Sequence, residues 1–186
     1  MSNSDTPITC ADIPVGKTVT VKVPASSANL GPGYDTLGVA LGFYDELRVE
    51  RISEGLEFEL SGEGSEAVPR DETHLVIQAM RSTFEKVGLH GFPALRLTAH
   101  NRIPHSRGMG SSASAIVAGV AAASGLLPEH AQLSRDQILQ VASDLEGHPD
   151  NVAPSVYGSL SISWGELGDW RSLVVPVHSA VVPIVA

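Results

Sequence analysis

An α+β domain is the fold class this sequence predicts, on three observations. Apolar and polar residues alternate in several separate stretches, as in half-buried strands of a hairpin-rich sheet. Between residues 73 and 88 the spacing changes to that of a helix. Residues 111–125, SSASAIVAGVAAASG, are small or apolar nearly all round, which marks a helix buried on most sides.

The elements follow in order. Residues 17–23 alternate as a strand through Val19, Val21 and Val23. They run into PASSANLGPGYD, small and turn-forming from Pro24 to Gly33, with one amide, Asn29, and one carboxylate, Asp35. Residues 36–50 are β-branched and aromatic enough to read as extended chain, and 55–62 alternates Leu56, Phe58 and Leu60 against Glu57 and Glu59. In the helix over 73–88, Val76, Met80, Phe84 and Val87 share a face and Gly88 is a C-terminal stop. Residues 93–101 return to period two. Ser134 and Gln137 form a capping box for a helix through Glu146, with Ile138, Val141, Ala142 and Leu145 as its apolar face and Gly147 ending it. Pro149 suits the first turn of a short helix, and 158–164 reads as a further strand. The last segment, 172–186, is apolar and β-prone, so it needs a sheet partner or a cover.

At 186 residues, 42% hydrophobic and 18% charged, the chain can bury one core. Twelve Lys and Arg against 21 Asp and Glu leave a net charge of −9. With only Lys17, Lys22 and Lys86 as lysines, a nucleic-acid or anionic-membrane partner is not expected. The N-terminus lacks the basic-then-apolar order of a secretory signal, so a cytoplasmic location is expected. Cys10 stands alone, which excludes an internal disulfide framework. Within this acidic chain Arg102, His105 and Arg107 cluster just before a glycine motif, where an anion would be welcome.

That motif is PHSRGMGSSASA, residues 104–115, between a predicted strand and the buried helix. Glycines 108 and 110 allow close backbone approach, Ser111 and Ser112 offer hydroxyls, and the helix start attracts negative charge; phosphate is the natural guest. A structural helix cap is the plain alternative. A Walker A loop is excluded because the segment has no lysine. The spacing Gly108-x-Gly110-x-x-Ala113, with Glu129 downstream, fits a variant dinucleotide fingerprint, so an NAD-dependent oxidoreductase stays open. A nucleophile elbow fails because Ser114 stands where its last glycine belongs. The second polar cluster, LEGHPDN, holds Glu146, His148, Asp150 and Asn151 at a helix-to-helix turn. Taken alone it reads first as a C-cap followed by an N-cap; the other reading is a site for Mg²⁺ and a polar substrate.

Together PASSANLGPGYD, PHSRGMGSSASA and EGHPDNVAPSVYGSL resemble the first two signature motifs of the GHMP small-molecule kinases and a segment typical of the homoserine kinases. The likeness runs from about residue 19 to about 165, with Met109 for the usual leucine and Tyr34 for the usual phenylalanine. It implies a GHMP kinase N-terminal domain of the ribosomal protein S5 domain 2-like type over 15–170; residues 1–14, which open without periodicity, read as a disordered tail before it. Residues 171–186 would begin a truncated C-terminal domain. The implied reaction is transfer of the γ-phosphoryl of ATP to L-homoserine, towards threonine. ATP would lie on Pro104, His105, Ser106, Arg107, Gly108, Met109, Gly110, Ser111, Ser112, Ala113 and Ser114. Ser112 and Glu146 would hold Mg²⁺; Asn29, Asp35, His148 and Asn151 would bind homoserine, with Asn29 and Asp35 nearest the chemistry. Another small-alcohol kinase of the same superfamily, a non-catalytic nucleotide-binding module and a homodimer stay open.

Overall fold

The computed structural model describes residues 7–178 and 180–182. Its sheet contains β1 (Thr18–Leu30), β2 (Gly33–Arg51), β3 (Leu56–Gly62), β4 (Leu95–Asn101), β5 (Leu160–Glu166) and β6 (Asp169–Val175). The strands run β3-β4-β2-β5-β6, and β1 pairs with β2. Every pairing is antiparallel except that of β3 with β4. Four helices accompany the sheet: α1 (Leu75–Lys86), α2 (Ser111–Leu126), α3 (Arg135–Glu146) and α4 (Val152–Tyr157).

The 19-residue β2 organises the molecule. Its second half pairs with β4 from Glu46 to Arg51, and its first half meets β5 at Leu37–Val39. Period two turns Leu47 and Val49 inward beside Leu95 and Leu97 of β4, and all four are buried. Against them pack Ile77, Met80 and Phe84 of α1, with the almost wholly apolar α2 in the middle of the same core. Each such side chain contributes about 1.5–3 kcal/mol of hydrophobic stabilisation. Helix caps follow the sequence signals: Ser134 Oγ accepts from Gln137 N at 3.2 Å, while Ser134 N donates to Gln137 Oε1 at 2.8 Å.

Several expectations change. The turn-forming stretch from Pro24 is strand as far as Leu30, because irregularities between Pro24 and Ser26 and between Ala28 and Leu30 absorb the residues that fit a regular ladder poorly. Of the tail expected over 1–14, residues 1–6 lie outside the described residues. The rest is anchored: Thr9 bridges to His90, Cys10–Asp12 form a 3₁₀ turn, and Ile13 is buried in the core. An apolar side chain at Ile13 outweighs the low periodicity around it. On α3 the buried face includes Leu139 and leaves Leu145 exposed. The domain boundary placed at residue 170 cuts into β6, which pairs with β5 along its whole length and carries the buried Trp170.

Candidate active site

The glycine loop leaves β4 and enters α2. Ser106, Gly108 and Gly110 all take positive φ (55°, 69° and 68°), and Gly110 caps the helix without any side-chain cap. The first amides of α2 are thus left for a ligand rather than for a side chain. A Cβ on Gly110 would stand 2.1 Å from Ser26 Oγ, so only glycine lets the loop lie this close to β1. Met109 secures the contact: its carbonyl accepts from Ser26 N at 3.1 Å, and its side chain packs with Ala25, Leu41 and Ile103.

The start of the loop is held by Asp45 of β2. Its Oδ1 accepts from the backbone amides of Arg102 at 2.6 Å and Ile103 at 2.9 Å, and Ser114 Oγ approaches Oδ2 at 3.5 Å. Burial pushes the Asp45 carboxyl above its usual range, opposed by the two amides. Beside it opens a cleft of about 340 Å³ whose lining includes Asp45, His74, His105, Ser106, Ser111, Ser112 and Ser114. Sequence reasoning missed Asp45, although period two places it in phase with Leu47 and Val49, where an acidic residue is out of character. His105 packs its ring over Gly64, and Arg107 stays exposed with Nη1 donating to the carbonyl of Ser106 at 3.2 Å.

The turn between α3 and α4 approaches the loop from the other side. Ser112 Oγ donates to Glu146 Oε2 at 2.8 Å, joining the two residues expected to share a cation. Both are hard oxygen donors, as Mg²⁺ requires. Among the described residues no group of three or more His, Cys, Asp or Glu could hold a metal by itself. The pair therefore fits an ion that also takes ligands from bound phosphates. Asp150 is buried; its Oδ1 lies 2.5 Å from His148 Nδ1 and accepts from Asn151 N at 2.8 Å. A Cβ on Gly38 would fall 1.8 Å from the Asp150 carbonyl, so this glycine is what lets the turn rest on β2. Asn151 is tied to Ser26, whose hydroxyl lies 3.0 Å from its Oδ1.

Asn29 and Asp35 meet each other at the tip of the β1–β2 hairpin. Both have positive φ (57° and 52°), both are exposed, and Asn29 Oδ1 accepts from Asp35 N at 3.1 Å. Among the described residues no hydrogen bond links this pair to Ser112, Glu146, His148 or Asn151. The dinucleotide alternative fails on topology. Its glycine turn belongs to a parallel sheet, whereas β4 is parallel only to β3 and antiparallel to β2.

A family model described as the GHMP kinases N terminal domain matches residues 74–159. The chain is 52% identical over 171 residues to a homoserine kinase of Leifsonia xyli subsp. xyli, covering 91% of this chain and 53% of the relative. It is 54% identical over 171 residues to a homoserine kinase of Corynebacterium efficiens, with 91% and 54% covered. The chain thus spans about half the length of the curated relatives it matches. The structure of homoserine kinase from Cytophaga hutchinsonii superposes with a TM-score of 0.72 at 26% identity, covering 87% of this chain and 53% of that one. Mevalonate kinase from Methanococcus jannaschii shares the fold alone, with a TM-score of 0.63 at 15% identity over 89% and 57% of the two chains. On the family match, the identities and the superposition, the chain carries a GHMP kinase N-terminal domain.

Proposed function

We propose that this chain supplies the nucleotide- and amino-acid-binding half of a cytoplasmic homoserine kinase, which transfers the γ-phosphoryl of ATP to the hydroxyl of L-homoserine and yields O-phospho-L-homoserine. The observation that carries the reading is identity above 50% to two homoserine kinases along 91% of the chain. The geometry supports it, because the glycine loop, the Ser112–Glu146 pair and the 148–151 turn lie around one helix start. Phosphoryl transfer asks mainly for alignment and charge neutralisation, and this chain has the parts for both. The α2 amides and the Gly108–Ser112 backbone would receive phosphate oxygens. Ser112 and Glu146 would hold Mg²⁺, which supplies charge neutralisation when bound. His148, Asn151, Asn29 and Asp35 would receive the amino acid.

The span of about half the relatives' length favours a second reading, a nucleotide-binding module without turnover of its own. A coupled ADP-release assay separates the two. The 186-residue chain and a form extended to the relatives' length are each given Mg·ATP with L-homoserine, mevalonate or other small alcohols. Turnover of homoserine by the extended form alone fits a binding half, and turnover by both fits a complete catalyst. Phosphorylation of another alcohol with none of homoserine would overturn the substrate.

A further inference from the structure

Ser26 is fully buried, lies in the first of the three motifs and touches both of the others. Its backbone amide donates to the Met109 carbonyl of the glycine loop, and its hydroxyl faces Asn151. Two acceptors compete for the single hydroxyl proton: the Asn151 carbonyl at 3.2 Å and the Asn151 side-chain Oδ1 at 3.0 Å. The carbonyl is already served twice from α4, by Ser155 Oγ at 2.8 Å and Ser155 N at 3.3 Å. A carbonyl oxygen has two lone pairs, so both are filled. The Ser26 proton therefore goes to Oδ1, and that choice fixes which end of the Asn151 amide faces inward.

The other end, Nδ2, has no hydrogen-bond partner among the described residues. Among the described residues the enclosed side-chain polar atoms without a partner are Arg51 Nε and Ser143 Oγ, so Nδ2 is open to solvent. We infer that Ser26 is a positioning residue that locks the Asn151 carboxamide with its NH₂ outward, so that Asn151 offers a ligand donors only and reads an oxygen of the amino acid, a carboxylate or hydroxyl, never its ammonium group. This rests on the proposed function for the identity of the ligand, but the locking itself does not. The two halves of Ser26 have separate duties. An alanine here keeps the amide that holds Met109 and removes only the hydroxyl that orients Asn151.

Two measurements test the inference. In the ligand-free 186-residue chain, ¹⁵N relaxation of the Asn151 side-chain amide is compared between wild type and Ser26→Ala. The group is expected to be ordered in the first and mobile in the second, with backbone amides of α1 unchanged; equal order in both overturns the locking. In the second, L-homoserine is titrated calorimetrically in the presence of Mg·ADP. Ser26→Ala is expected to bind about tenfold more weakly, as for one hydrogen bond of about 1.4 kcal/mol. In an Asn151→Ala background the same change is expected to have no effect, because Ser26 acts through Asn151. Asn151→Asp is expected to bind more weakly than Asn151→Ala, since it turns an anionic oxygen outward; the reverse order overturns the donor-only reading. If wild type binds no homoserine, the functional proposal for this chain fails while relaxation still decides the locking.

Discussion

A carboxylate in the apolar phase of a strand has to repay its burial, and Asp45 does so by accepting two consecutive amides at the mouth of the glycine loop. Asp45→Ala leaves the buried Ile103 amide without its acceptor. Urea unfolding is expected to show a loss of about 2 kcal/mol, and Mg·ATP to bind more weakly by calorimetry. Asp45→Asn keeps an acceptor and removes the titration. Burial raises the folded carboxyl above the unfolded value of 3.8, so the folded state holds the extra proton. Stability on this account falls as pH rises from 3.8 through the folded value. Urea midpoints between about pH 4 and pH 7 should therefore fall less in Asp45→Asn than in wild type; parallel profiles would rule the assignment out. Asp45 was legible in principle, from its phase with Leu47 and Val49. Ser26 was not, because the irregularity at Pro24 resets the strand's inward register just before it, and no alternation rule survives that step.

At the level of elements, type and order could be read from period and caps, whereas ends and faces depended on partners that a local pattern does not contain. The capping box of α3 formed as its spacing implied, but Leu139 replaced Leu145 on the buried face because the neighbouring elements decide which stripe is covered. The N-cap of α1 is a different case. His74 takes that position and accepts from Val76 N through Nδ1 at 3.2 Å, which requires that nitrogen to be unprotonated. Its ring lies 5.3 Å from that of Phe58, and burial holds it below the usual histidine value of 6.5, with the nearby Asp71 opposing. The unfolded chain thus binds the proton more readily than the folded one. The cap's contribution is complete above 6.5 and is lost as pH falls from there through the folded value. His74→Asn, a good cap with no titration, is expected to flatten the fall of melting temperature between about pH 7.5 and 5.5. An unchanged slope in that variant would remove His74 as its source.

Across the whole molecule, α2 is the member that makes core and site one body. Its first residue follows the glycine loop, its middle lies in the core, and Lys17 caps its end by donating to the carbonyls of Leu126 at 2.8 Å and Leu127 at 3.0 Å. The weak point of this arrangement is Gly119. A Cβ there would stand 2.7 Å from the Val76 carbonyl oxygen and 2.8 Å from Ala79 Cβ, both on α1, and a backbone oxygen cannot swing aside. Gly119→Ala gains about 1 kcal/mol in helix propensity but must force α1 and α2 apart, an overpacking cost of about 1–3 kcal/mol. Where the helices are held on both sides, as here by the sheet and by α3, the clash is expected to win by up to about 2 kcal/mol, which lowers the melting temperature by up to about 5 °C. Because Trp170 is buried and bonded to α3 through Gln140 and Asp144, its fluorescence reports on tertiary packing while far-UV circular dichroism reports on the helices. The two signals should move together in the variant, as they must if one core carries the glycine loop and the Asn151 turn alike. A melting temperature at or above wild type would show that the α1–α2 contact is looser than this spacing, and separated transitions would show that the site can come apart from the core.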